Sequence, residues 1–294
     1  MELYYKDVDI LSQVQVLRCE LKQNLFDELN TLTITFNDKE NKWSKWRPQP
    51  EDKLRVTEDF LKSGNMYVYA VKPKSGMMTL KAASVKYLQD CHKQEWTDIG
   101  LKELIDLRAN DLGLKTEYYG FQNQTYKSVK QDGSDLVFLA ERCQLEGCGF
   151  MVEDGILRVI SYDYLKEMPT ANTTLEAFDS RVEDKSFYAG CKVSDGTITG
   201  KAGNENGEVL IADTECEFDS IQQANRFASN MLKYGNFGRK MGVMYSDSLL
   251  SQFAPGSKVY INCDYWENVP VIITKARHDL YNMKSKLWFV RMED

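Results

Sequence analysis

Apolar and polar residues alternate cleanly in Thr31-Leu32-Thr33-Ile34-Thr35-Phe36, with Leu32, Ile34 and Phe36 on one side and threonines on the other. That period predicts a half-buried strand. Gln13 to Leu21 alternates in the same way, with one slip at Leu17. Leu54-Arg55-Val56 reads as another strand. Asn65 to Val71 and Met77 to Ala82 read as a hairpin joined around Pro73-Lys74-Ser75-Gly76. Asn37 to Asp52 is charged, carries Trp43, Trp46, Pro48 and Pro50, and reads as a surface loop in preference to a partner-binding one. Residues 1–86 are thus expected to be β-rich.

The period becomes helical between Thr97 and Val159. Thr97 reads as an N-cap, with Ile99, Leu101, Leu104, Ile105, Ala109 and Leu112 forming a stripe that closes at Gly113. A polar, aromatic-studded stretch runs to Lys130. Gln131 to Ala140 reads as a turn and the start of a second helix, which ends near Gly147 or Gly149. Phe150-Met151-Val152, the Asp154-Gly155 turn and Ile156 to Ile160 predict a hairpin. An α/β unit over 87–165 follows.

Residues 166–186, with Pro169 and a Thr/Asn cluster, read as a linker. Strands return over 187–294. Phe187 to Val193, a turn at Asp195-Gly196, and Thr197 to Lys201 come first. Glu208 to Ala212 is expected to pair back across the Gly203–Gly207 turn. A helix starts near Asp219 or Ser220, with a stripe of Ile221, Ala224, Phe227, Ala228, Met231 and Leu232. Lys258 to Asn262, Val269 to Thr274 and Lys286 to Arg291 read as closing strands.

At 294 residues the chain is long enough for two or three domains. An apolar fraction of 43% makes it a folded protein. The net charge of −7 argues against a surface built to grip phosphates; it leaves room for a local basic patch, but no dense one is visible. No apolar run is long enough to span a membrane, and Met1 to Asp7 has no signal-like segment. The seven cysteines, odd in number and widely spread, read as buried thiols in a reducing compartment.

Candidate chemistry is sparse. Cys91 and His92 are sequence neighbours whose side chains diverge in extended chain. His278 is expected to pack on or beside a late strand. No CxxC, HExxH or calcium-loop spacing occurs. Gly203 to Gly207 lacks alternating carboxylates. Gly196 to Ala202 is a Walker-like run one residue short, with Ala where the magnesium-binding hydroxyl belongs. The acidic pairs Glu51/Asp52, Glu58/Asp59 and Glu183/Asp184 lie in polar segments, without the apolar pocket a glycosidase acid needs. No catalytic, cofactor-binding or metal-binding residue is assigned, and a structural or binding protein is expected over an enzyme.

Three stretches in order resemble the late control protein D family, the baseplate hub proteins of contractile phage tails and related injection systems. They are Gln131 to Arg142, with its Ser134/Asp135 cap and Leu136-x-Phe138-Leu139; Gly147 to Phe150 with Asp154 to Leu157; and Phe253 to Val259 with Ile272 to His278. The resemblance implies an α+β, mainly β fold: two tail-tube-like barrels, over 1–86 and 187–294, separated by the α/β middle domain. It implies a homotrimeric, non-enzymatic ring in a virion tail baseplate or a phage-tail-like particle such as a bacteriocin, made in the bacterial host cytoplasm. That ring would adapt a hexameric tail tube to a central trimeric spike beside other baseplate proteins, with no membrane insertion and nucleic acid only as passing cargo. A net negative chain then suits a conduit that does not hold a polyanion. The alternatives are the hub-like module of a tail-associated lysin, a peptidoglycan hydrolase, and a soluble β-rich carbohydrate-binding module with an aromatic groove. The final strand before Asp294 favours the hub over the lysin.

Overall fold

The computed structural model describes residues 1–26, 28–86, 91–214 and 216–292. The expected boundary at residue 87 lies outside them. The first region is built from β1 (Glu2–Tyr5), β2 (Val8–Asp9), β3 (Gln15–Asn24), β4 (Thr31–Asn37), α1 (Lys42–Trp46), β5 (Lys53–Glu58), β6 (Leu61–Lys62), β7 (Met66–Lys74) and β8 (Met77–Ala83). β4 buries Leu32, Ile34 and Phe36 as its alternation requires. The slip at Leu17 is a bulge: the β3–β4 register shifts between Val16 and Arg18.

The Asn37–Asp52 segment is not a simple surface loop. It folds into α1 and drives Trp43 into the first core, where the residue is 1% exposed. The Trp43 ring lies 4.4 Å from Phe36 of β4, 5.2 Å from Tyr5 of β1 and 5.0 Å from Trp46. β1 and β4 are far apart in the strand order, so Trp43 plugs the mouth of a curled sheet. Burying an aromatic of this size stabilises by about 1.5–3 kcal/mol.

The middle unit contains β9 (Cys91–Gly100), α2 (Leu101–Asp111), β10 (Lys115–Tyr119), β11 (Thr125–Ser134), α3 (Asp135–Leu145), β12 (Cys148–Glu153), β13 (Ile156–Ser161) and α4 (Tyr162–Glu167). The expected hairpin is β12–β13, and α2 closes at Gly113 with φ +70°. Thr97 does not cap α2. It lies in β9, paired with Ser128 of β11. The helix starts at Leu101, where Asn123 Oδ1 accepts from the Lys102 N–H at 2.9 Å. The returning loop thus caps a helix that local spacing assigned to Thr97.

The remaining elements are β14 (Thr174–Glu176), β15 (Ser180–Asp184), β16 (Gly190–Ser194), β17 (Thr199–Gly203), β18 (Val209–Asp213), α5 (Ile221–Phe237), β19 (Lys240–Ser246), β20 (Lys258–Asn262), β21 (Val269–Asp279) and β22 (Lys284–Val290). Two expectations change here. The stretch 166–186 is not a bare linker: β14 pairs with β20, and β15 with β19. β18 does not pair back on β17. It crosses over to lie parallel to β16.

The second barrel core draws on Leu175, Met244, Phe253, Trp266, Ile273 and Phe289, with nothing from the described residues of 187–238. That excursion packs into the middle-unit core instead. There Cys191, Val193, Phe218, Ala224 and Phe227 join the α2 and α3 stripes and the hairpin residues Leu157 and Val159. Arg226 of α5 donates twice to Glu146, at 2.7 and 2.9 Å. Gly200 is required by this packing: a Cβ there would stand 2.0 Å from the Ala224 carbonyl oxygen of α5.

The two barrels are one sheet. Fourteen strands join, and the main path runs β15-β19-β22-β21-β3-β4-β8-β7-β5-β1-β2. The seam is β21–β3, from Lys275 opposite Asn24 to Asp279 opposite Glu20. The middle unit covers one end of the outward face, through Leu25, Met151, Ile160, Leu165, Ile272 and Val290.

Candidate functional site

The groups most able to do chemistry sit in structural settings. His278 lies in β21, fully buried, with Nδ1 2.9 Å from Ser285 Oγ, and burial lowers its pKa to about 4. Burial pushes the Cys19 thiol up to about 12, and those of Cys191 and Cys216 up to about 11, away from nucleophilic thiolates. Cys91 departs from the buried-thiol expectation and is exposed. The Walker-like run is the β16–β17 connection and β17 itself, with no helix N-terminus behind it.

The sequence reading missed one polar cluster. Asp135, the first residue of α3, is fully buried and accepts from Gln131 Nε2 at 2.5 Å and His92 Nδ1 at 2.8 Å. Ser134 makes no capping hydrogen bond with its side chain. His92, Asp111 and Asp135 bring their ligand-type atoms within 4.8 Å of one another. A guanidinium already neutralises them: Arg108 Nη1 is 2.9 Å from Asp111 and 3.8 Å from Asp135, and Gln94 accepts from Arg108 Nη2 at 2.8 Å. The Arg108 charge in the middle of the group disfavours a metal cation there. The pairing of β9 with β11 brings His92 to this place, and nothing in local spacing signals it.

The larger feature is the shared sheet. Eight consecutive strands, β15-β19-β22-β21 from the second barrel and β3-β4-β8-β7 from the first, form a continuous surface. Both of its ends are open. Among the described residues β15 has a neighbour on one side only, β19. β5 and the residues just before it cover β7 from Met66 to Val68, and among the described residues no strand pairs with the outer edge of β7 beyond that. Pro73 on β7 suits an edge position. The edge strands differ in net charge: β7 carries Lys72 and Lys74, whereas β15 carries Glu183 and Asp184 beside Arg181, its two acids meeting Lys185 and Lys240.

The outward side of these strands corrects the reading that no dense basic surface exists. Cross-strand partners share a face. Tyr245 stands opposite Lys286, Lys286 opposite Arg277, Arg277 opposite Lys22, and Lys22 opposite Thr31. The next row runs Lys284, Asp279, Glu20, Thr33 and Lys81. On this face the first barrel presents Arg18, Lys22, Lys72, Lys74 and Lys81 against Glu20. The second presents Arg181, Lys275, Arg277, Lys284 and Lys286 against Glu183 and Asp279. Ten cations thus meet three carboxylates in a chain whose net charge is −7.

Glu20 holds the seam together. Burial raises its pKa, but hydrogen bonds from Arg18, at 2.8 Å, and from Arg277 outweigh that and keep it below the usual carboxylate range. Lys275 and Lys284 meet Glu28 and Asp247, which lie off these strands, at 2.7 and 2.6 Å. Lys286 stacks over Tyr245 and Trp288 at 4.6 and 4.5 Å.

No protein-family model matches the sequence, and no curated protein matches it. Solved structures do. The 43 kDa tail protein of prophage MuSo2 from Shewanella oneidensis aligns with TM-score 0.73 and 10% identity, over 99% of this chain and 98% of that one. A tail protein from Neisseria meningitidis MC58 aligns with TM-score 0.73 and 10% identity, over 99% and 96%. The Escherichia coli c3393 protein aligns with TM-score 0.67 and 10% identity, over 100% and 78%. It is described as a type VI secretion component with structural similarity to the T4 bacteriophage tail proteins gp27 and gp5. The chain has the fold of phage tail and type VI secretion tail-like proteins, and that fold agrees with the late control protein D resemblance carried by its motifs.

Proposed function

We propose that this chain is a structural baseplate hub, in which three copies close a ring that adapts a hexameric tail tube to a central trimeric spike. The observation that carries the proposal is the eight-strand surface with four strands from each barrel and two open edges of opposite net charge. In the proposed ring, β7 of one copy meets β15 of the next, which removes both exposed edges. Three copies carry six barrel halves, in keeping with a hexameric tube. At about 4.8 Å between strands and about 40° of tilt, three such surfaces close at a backbone diameter of about 50 Å. The middle unit, with the 187–238 excursion packed on it, lies on the outside. The part played is assembly, without bond chemistry, in the tail of a phage, a bacteriocin or another injection device.

Cysteine cross-linking tests the edge contact. Lys72→Cys or Lys74→Cys on β7 is combined with Arg181→Cys or Glu183→Cys on β15, in a Cys91→Ser background. Oxidation in the presence of tail tube and spike proteins should give covalent dimers and trimers for at least one pair. Absence of intermolecular products from all four pairs would overturn the β7–β15 ring.

A further inference from the structure

We infer that the outward face of the eight-strand surface binds the phosphate backbone of duplex DNA. The inference rests on the face of a single chain and does not require the ring. Charge is segregated in this molecule: the face is basic while the chain as a whole is acidic. Lys286, Arg277 and Lys22 stand directly opposite one another on three neighbouring strands. Like charges in that position cost stability; Glu20 meets Arg277 and Lys22, and Lys286 is left without a carboxylate beside them. Lys72, Lys74, Lys81, Lys286 and Arg181 have no carboxylate partner among the described residues. Between the cations lie hydroxyls, with Thr35 and Thr79 Oγ1 atoms 3.0 Å apart and Thr31 and Thr33 on the same side of β4.

That composition favours a nucleic-acid backbone over an acidic protein. A docked protein segment needs apolar anchors that seat in pockets. Here the rings Tyr245 and Trp288 are overlain by lysines: Lys286 is 4.6 Å from the first centroid and 4.5 Å from the second, and Lys275 is 5.8 Å from the second. Distributed cations and hydroxyls are the groups that meet phosphate oxygens without reading sequence. Among the described residues no helix or ribbon projects from the face to enter a groove, so binding is sequence-independent. It is weak enough for release, with Kd of about 10⁻⁴ to 10⁻⁶ M at physiological salt.

Fluorescence anisotropy with a labelled random-sequence duplex, titrated with the intact chain at 50 and 200 mM salt, tests this. Four phosphate contacts predict that affinity falls about 100-fold between those salts. Lys81→Glu with Lys286→Glu should remove binding at 200 mM. The milder Lys81→Gln with Lys286→Gln should bind at least tenfold more weakly than the parent at 50 mM and reduce the salt effect to about 10-fold, with circular dichroism unchanged. Lys115→Glu with Lys201→Glu, off this face, should bind as the parent does. No DNA binding at 50 mM salt, equal losses in the two Glu pairs, or tighter binding to polyglutamate than to duplex would each overturn the inference.

Discussion

The two barrels differ in how the chain reaches them. The first is contiguous: β1 to β8 all fall within residues 2–83, and the Trp43 plug lies between β4 and β5. The second is interrupted. β14 and β15 precede β16, β17, β18 and α5, which leave for the middle unit, and β19 to β22 complete the barrel afterwards. Both contain pairings between strands distant in sequence, β1 with β5 and β4 with β8 in the first and β15 with β19 in the second; only the second sends the intervening chain into another core. The contiguous barrel should hold itself together through its own plug, whereas the interrupted one leans on the seam and on the packing of its excursion.

The largest test of that contrast is at the plugs. Trp43→Ala should cost about 3–5 kcal/mol in urea unfolding, because the cavity would lie among Tyr5, Phe36 and Trp46. Trp266→Ala, whose ring meets Phe289 at 5.9 Å, should cost less. Equal costs would show that the two barrels are plugged alike.

The next test uses pH. His278 beside the seam is held neutral by burial, with its pKa lowered from 6.5 to about 4. Unfolded chain takes up a proton on this group near pH 6.5, whereas the folded chain does so only near pH 4. Stability should therefore fall as pH drops through that window, by about 3 kcal/mol, and level off below it. The first barrel has no histidine to match, since the other is His92. His278→Asn should flatten the slope of the urea midpoint against pH between 6.5 and 4, and an unchanged slope would assign the effect elsewhere.

Smaller effects sharpen the role of the excursion and of the middle unit. Gly200→Ala should cost about 1–3 kcal/mol and raise amide exchange in α5, because the added Cβ collides with the Ala224 carbonyl. Unaltered exchange would mean that α5 does not rest on β17. Asn123→Ala should remove about 1 kcal/mol by uncapping α2, while Thr97→Ala should be close to neutral. A larger loss at Thr97 would contradict the cap assignment.

What could be read along the chain was what local period controls. The Leu32/Ile34/Phe36 alternation, the β7–β8 and β12–β13 hairpins and the α5 stripe are set by neighbours in sequence. Even the slip at Leu17 marks a bulge. Pairing between distant segments decided the rest. Thr97 has a good cap side chain, but β11 recruits it into a strand. Residues 166–186 lack periodic apolar positions because two short edge strands suffice there. The basic face is the clearest case: β3, β7, β21 and β22 each carry two of its cations and β8 and β15 one each, an unremarkable density in one strand. The register of six strands gathers them on one side.

The central claim is that three chains close a ring around this sheet, and the mass of the assembled complex tests it most directly. The chain is to be measured by native mass spectrometry alone and with tail tube and spike proteins. The account predicts three copies of the 33.9 kDa chain in the complex that contains the spike. A single copy in every complex, with no ring under any condition, would contradict it.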